Sequence, residues 1–167
     1  MNTSEIWDGL GMETGQTTAQ MMTNTTFAAA GWNFTSVWWM ATGQTRPFLR
    51  MEWSEEITNS HQVQLMSMNL WADYEMMGDI DLSDITEPAQ MWGSSTASGK
   101  GFYPIGYLGV SDFFGTLEGN GFTISDMFIN RSAENYVGMF GTVNQGAVHN
   151  LTLQDISVNG YGSVGGL

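Results

Sequence analysis

The stretch that decides the reading is FFGTLEGNGFTISDMFINRSAENYVGMFGTVNQGAVHNLTLQDISVNGYGSVGGL, Phe113 to Leu167. Slid along itself until Ile124 meets Val148, it also brings Met127 onto Leu151 and Ile129 onto Leu153. A looser echo at a slightly longer shift sets Val137-Gly138 on Val164-Gly165. Short β-rich runs between glycines, recurring at such an interval, are expected of a chain that stacks on itself. The predicted fold is mostly β: a parallel β-solenoid (β-helix), right-handed by the rule for parallel crossovers. Ile124, Met127, Ile129, Val148, Leu151 and Leu153 are its expected inward ladder, with glycines at the corners.

The same residues carry a resemblance. FFGTLEGNGFTIS, then YVGMFG, AVHNLTL and SVGGL, are similar to the GLUG repeat, found in bacterial and archaeal extracellular, adhesin-like proteins. The similarity extends back through DIDLS (Asp79–Ser83) and YPIG (Tyr103–Gly106). It also covers GQTTAQM (Gly15–Met21), GWNF (Gly31–Phe34) with Trp38, and RPFLR (Arg46–Arg50). The resemblance implies a β-solenoid on a cell surface. It divides the chain into 1–50, an aromatic-rich segment like the closing part of a repeat array, and 51–167, a capping helix plus opening turns. An array's end placed before an array's beginning implies head-to-tail contact between identical copies or flanking repeats.

Composition narrows the partners. Four Lys and Arg against 17 Asp and Glu give a net charge of -13. Nucleic acid and anionic membrane both need a basic face, so neither is expected. The acid excess reads as a solvated surface of a secreted or salt-adapted protein. There is no cysteine, hence no disulfide or thiolate chemistry. No apolar run approaches the length of a membrane span, and membrane insertion is not expected. Asn-x-Ser/Thr triplets stand at Asn2, Asn24, Asn33, Asn130 and Asn150, five candidate glycosylation sites. A chain rich in Asn and Thr for turns would show them too.

In chain order, Thr17 to Met22 has the composition of one helical turn capped by Thr17 or Thr18. Trp32, Phe34 and Trp38 share an even register, as a strand face would. These rings read as a plug buried against the solenoid's end. Read functionally, Trp32, Trp38, Trp39 and Trp92 are candidates for stacking on surface glycans. Asn59 to Leu70 is the strongest helix candidate, capped by Asn59 and buried through Val63, Met66 and Leu70. Such a helix would shield the first strand edges from aggregation. His61, in its first turn, is expected to be exposed. Tyr74 to Leu82 alternates as one strand. Ile85 to Gly101 reads as a long corner loop fastened by Met91 and Trp92. Asn120-Gly121 is the strongest turn signal.

No catalytic set emerges, and the chain is not expected to be an enzyme or to hold a cofactor. Asp79, Asp81 and Asp84 follow part of a calcium-loop spacing without its glycine and terminal glutamate, leaving structural calcium a weaker alternative. Asp112, Glu118, Asp126 and Asp155 are the carboxylates a polysaccharide-cleaving β-helix would pair. Asp126 and Asp155 are separated by more than the shift that carries Ile124 onto Val148, so they need not stack. His149 is expected to point outward. The leading expectation is an extracellular structural module of an adhesin or self-assembling filament. A carbohydrate-binding surface module is the alternative, and it requires exposed rings.

Overall fold

Helix α1 (Thr18–Met21) starts where the sequence places it. The Thr17 hydroxyl accepts from the Gln20 N–H, and Gln20 Oε1 accepts from the Thr17 N–H at 2.8 Å. The computed structural model describes residues 15–93, 98–107 and 112–167, so Asn2 lies outside the described residues. Helix α2 (Asn24–Ala28) follows, with Phe27 buried. The aromatic run after it is not a strand face. Asn33 opens a turn, and the rings meet around it: Trp32 stacks on Trp38 at 4.2 Å and Phe27 leans on Trp32 at 4.8 Å. Only β1 (Trp38–Trp39) is extended, paired antiparallel with β2 (Phe48–Leu49).

The body is built from short parallel strands. Strands β3 (Glu56–Ile57), β4 (Asp73–Met76), β6 (Thr116–Glu118) and β9 (Ala147–His149) form one sheet in that order. Its register sets Glu56, Glu75, Glu118 and His149 in one outward column, and Tyr74, Leu117 and Val148 in one inward column. A second sheet joins β5 (Ile80–Asp81), β7 (Thr123–Ser125) and β10 (Thr152–Gln154), with Ile80, Ile124 and Leu153 aligned. A third pairs β8 (Phe128–Val137) with β11 (Ser157–Val164), through Ile129 and Val158, Asn130 and Asn159, and Val137 and Val164.

This corrects the expected architecture. In place of one long parallel β-solenoid, the described residues form four small separate sheets of at most four strands, one of them antiparallel. The sequence register fails with it. Ile124 and Val148 belong to different sheets, and Ile124 pairs with Leu153, further along the chain. Corners set the true spacing. Asn120 and Asn150 have φ of 52° and 50°, Asp126 and Asp155 58° and 50°, Tyr136 and Ser163 58° and 51°. Each of these equivalent left-handed pairs is spaced more widely than Ile124 and Val148. Asn and Asp tolerate that conformation better than other residues with a Cβ. Thus Asp126 and Asp155 occupy equivalent corners. The echo of Val137 in Val164 is a true strand register. Asn120-Gly121 is a turn closed by the Phe122 N–H on the Gly119 carbonyl at 2.8 Å, but it joins two sheets and is no hairpin.

Helix α3 (Ser60–Leu65) is capped by Asn59, whose Oδ1 accepts from the Gln62 N–H at 3.0 Å. It ends earlier than expected, tightening into a 3-10 turn over Met66–Met68. The Tyr74 hydroxyl lies against the residues that follow this turn. It donates to the Asn69 carbonyl at 2.7 Å, and it accepts from Trp53 Nε1. Burial pushes the Tyr74 phenol up to about 12. The predicted Tyr74–Leu82 strand is two strands, β4 and β5, because Asp79 Oδ1 leaves the run to accept from the Thr123 N–H. His61 is not exposed as expected. Its ring packs edge-on against Phe48 at 5.1 Å, and Nδ1 lies 2.7 Å from Glu52 Oε2. One hydrophobic cluster spans both segments, from Phe48 through Trp92 to Phe140.

Candidate functional site

Two features go beyond core and corner. The first is a set of three edges, β9, β10 and β11, one in each of the parallel sheets. Among the described residues each of these strands has a neighbour on one side only. The inward ladder reflects it. Ile124, Met127 and Ile129 are buried, whereas Val148, Leu151 and Leu153 are half-buried beside Ile156 and Val158. Tyr161, Val164 and Leu167 are exposed, Tyr161 by 79%. Backbone groups on such an edge seek partners.

The second is a polar hub around Arg131, which the sequence reading missed. The side chain is wholly buried. Nε donates to the Phe102 carbonyl, and Nη1 donates to Gln44 Oε1 at 2.8 Å and to Glu134 Oε2 at 3.1 Å. The guanidinium lies 5.3 Å from the Tyr103 ring centre. Glu134 also accepts from Lys100 Nζ at 2.6 Å and from the Tyr107 hydroxyl at 3.0 Å. Burial pushes the Glu134 carboxyl up, but its bonds to Lys100 and Arg131 outweigh that and hold it below the usual range. Burial lowers Arg131. Beside the hub, Trp39, Leu70, Tyr103, Pro104, Tyr107 and Ser67 line a half-enclosed cavity of about 210 Å³. Among the described residues the buried Ser67 hydroxyl has no partner.

The other candidates do not gather into a site. Trp92 is buried, its Nε1 donating to Gln64 Oε1 at 2.8 Å, so it is a fastener and not a platform. Trp32, Trp38 and Trp39 are each half-buried. Asp81 Oδ1 accepts from the Ser83 N–H and Asp84 Oδ2 from the Ser60 hydroxyl. Among the described residues no group of three acids or histidines could hold a metal ion. Of the four carboxylates proposed for cleavage, Asp126 and Asp155 neighbour each other at equivalent corners, while Asp112 and Glu118 are each held by their own polar partners. Asp112 accepts from Thr142 and Asn144, which lower its pKa. Glu118 accepts from the Asn120 N–H and from Asn150, with the same effect. Asp126 and Asp155 sit at exposed corners. His149 is exposed, as expected.

No family model matches the chain, and no solved structure matches it. It is similar to Halomucin of Haloquadratum walsbyi, 40% identical over 93 residues, covering 55% of this chain and 1% of that protein. It is also similar to a protein of Evansella cellulosilytica named as a Gly-rich membrane protein, 37% identical over 81 residues, 48% of this chain and 8% of the other. The chain thus spans a small fraction of either relative. No helix among the described residues is long and apolar enough to cross a membrane.

Proposed function

We propose that this chain is a structural module of a surface or membrane-associated protein, and that it extends by accepting parallel strands on the edge of β9, β10 and β11. The observation that carries the reading is that edge with its half-buried apolar row. An occupant that satisfies three parallel edges at once must bring three strands at the same spacing. Another copy of this module, in the same polypeptide or a separate one, has that geometry. The relatives' names, Halomucin and Gly-rich membrane protein, support a surface or membrane location. The GLUG-like motifs and the net charge of -13 fit the same setting. On this reading the module needs neither catalysis nor a cofactor.

Electron microscopy and light scattering of the purified chain, from low to high salt, test it. The expected result is end-to-end assembly that strengthens as salt screens the acidic surfaces. Leu153→Lys and Val158→Lys place charges on the edge and should abolish assembly without unfolding the module. If the chain stays monomeric at every concentration, a tandem fusion of two copies decides between intra- and intermolecular supply. Independent, unlinked melting of the two copies overturns the proposal.

A second reading is favoured by the cavity at Trp39, Tyr103 and Tyr107. Aromatic faces beside an unpartnered hydroxyl suit one pyranose ring of a surface glycan. Titration with simple sugars while following tryptophan fluorescence tests it. A Trp39→Ala variant should lose any response.

A further inference from the structure

The structure separates the four Asn-x-Ser/Thr triplets in the described residues by chemistry. N-glycosylation needs a free, accessible amide nitrogen with the hydroxyl of the residue two positions on brought beside it. In a helix, residues two apart face away from each other, so Thr26 is turned from Asn24, the first residue of α2. In a strand they share a face but stand roughly 6–7 Å apart, given a rise of about 3.3 Å per residue. Asn130 is held so in β8. Its N–H donates to the Lys100 carbonyl, and its Oδ1 accepts from Asn159 at 2.9 Å. Asn150 spends its nitrogen on Glu118, donating to Oε1 at 3.0 Å.

Asn33 combines exposure with an uncommitted amide nitrogen, a combination that half-buried Asn130 and Glu118-bound Asn150 do not have. It is exposed, as are Thr35 and Ser36. Its Oδ1 accepts from the Thr35 N–H at 2.9 Å and the Ser36 N–H at 3.0 Å. This local turn folds Thr35 back toward the amide and leaves Nδ2 without a hydrogen bond among the described residues. The loop's base is fixed, because the Asn33 carbonyl accepts from the Val37 and Trp38 N–H groups and the Trp32 and Trp38 rings stack. The folded chain therefore holds Asn33 in an exposed turn with the Thr35 backbone against its amide oxygen.

We propose that Asn33 is the glycan acceptor of this module, and that Asn130 and Asn150 are ladder and corner asparagines that stay bare. The donor class is an oligosaccharide linked through its anomeric carbon to a polyprenyl phosphate or pyrophosphate. Nδ2 forms the new bond to that carbon. The carbon–oxygen bond to phosphate breaks, the phosphate leaves with the electron pair, and one amide proton passes to the transferase's base. This inference stands apart from strand addition and holds whether or not the modules assemble.

Glycopeptide mass spectrometry of the whole protein recovered from its own host tests it. The Asn33 peptide should carry the glycan mass, and the Asn130 and Asn150 peptides should not. Asn33→Gln and Thr35→Ala should each lose the glycan. Thr35→Ser should keep it, because the hydroxyl is retained. Thr35→Ala preserves the backbone N–H that Asn33 uses, so its loss would report chemistry and not unfolding. A bare Asn33, or glycans on Asn130 and Asn150 at the same occupancy, overturns the proposal.

Discussion

The two ends of the strand stack are built from similar residues and have opposite fates. At the end nearest β3 and β5, helix α3 and the segment around Phe48 close the core, and Ile57, Val63, Leu65 and Ile80 are all buried. At the other end, Leu153 and Val158 sit in register over Ile124 and Ile129 yet remain half-buried. Hydrophobic stabilisation follows the area removed from water, so one side-chain type contributes differently at the two ends. What lies above a strand matters as much as the strand's own sequence.

The largest break in that contrast is expected just before β6, between the two ends. A Cβ on Gly115 would stand 1.9 Å from the Ala72 carbonyl oxygen. Gly115→Ala should cost about 3–5 kcal/mol or prevent folding, as large backbone clashes do. Denaturant melts measure it, and a cost under about 1 kcal/mol would refute the close approach. Truncating one apolar residue at each level of the stack should have the next largest effect. Ile124→Ala should cost roughly 2–5 kcal/mol, and Leu153→Ala clearly less, because its site is open to water. In an assembled or tandem form the two costs should converge.

Glu134→Gln sharpens the closed side. It strips Arg131 of its carboxylate and should cost about 1–3 kcal/mol, through a buried charge left short of partners. The pH dependence has a fixed sign. The folded carboxyl is held below its unfolded value, so its contribution is present above the unfolded pKa and is lost as pH falls through the lowered one. Acid melts of the wild type should show this step, and those of Glu134→Gln should lack it. The smallest effect concerns the outward column. Glu56 and Glu75 stand side by side in parallel register, and adjacent like charges destabilise a sheet. Glu56→Gln should gain a few tenths of a kcal/mol at low salt, and the gain should fade as salt screens the pair.

What the sequence disclosed depended on how local the signal was. The Thr17 cap, the Asn59 cap and the Asn120-Gly121 turn are set by three or four adjacent residues, and each is where the letters place it. Burial of Ile124, Met127 and Ile129 was also legible from their apolar character, although the corner at Asp126 breaks the alternation between Ile124 and Met127. The stacking register was not. Apolar letters at alternate positions coincide at several shifts, so laying Ile124 on Val148 looks as good as laying it on its true partner, Leu153. Single Asn and Asp residues at left-handed corners decide between these, and they carry no apolar signal. The Arg131 hub was invisible for another reason. Its partners Gln44 and Phe102 are distant in the chain, and with only Glu134 nearby an arginine in a β-rich run looks like a solvated one.

The bond between Arg131 and Gln44 joins positions 87 residues apart. During biosynthesis Gln44 therefore cannot gain this anchor until Arg131 has left the ribosome. Contacts this distant in sequence form late and slowly. The aromatic segment thus depends for one of its anchors on a guanidinium synthesised much later.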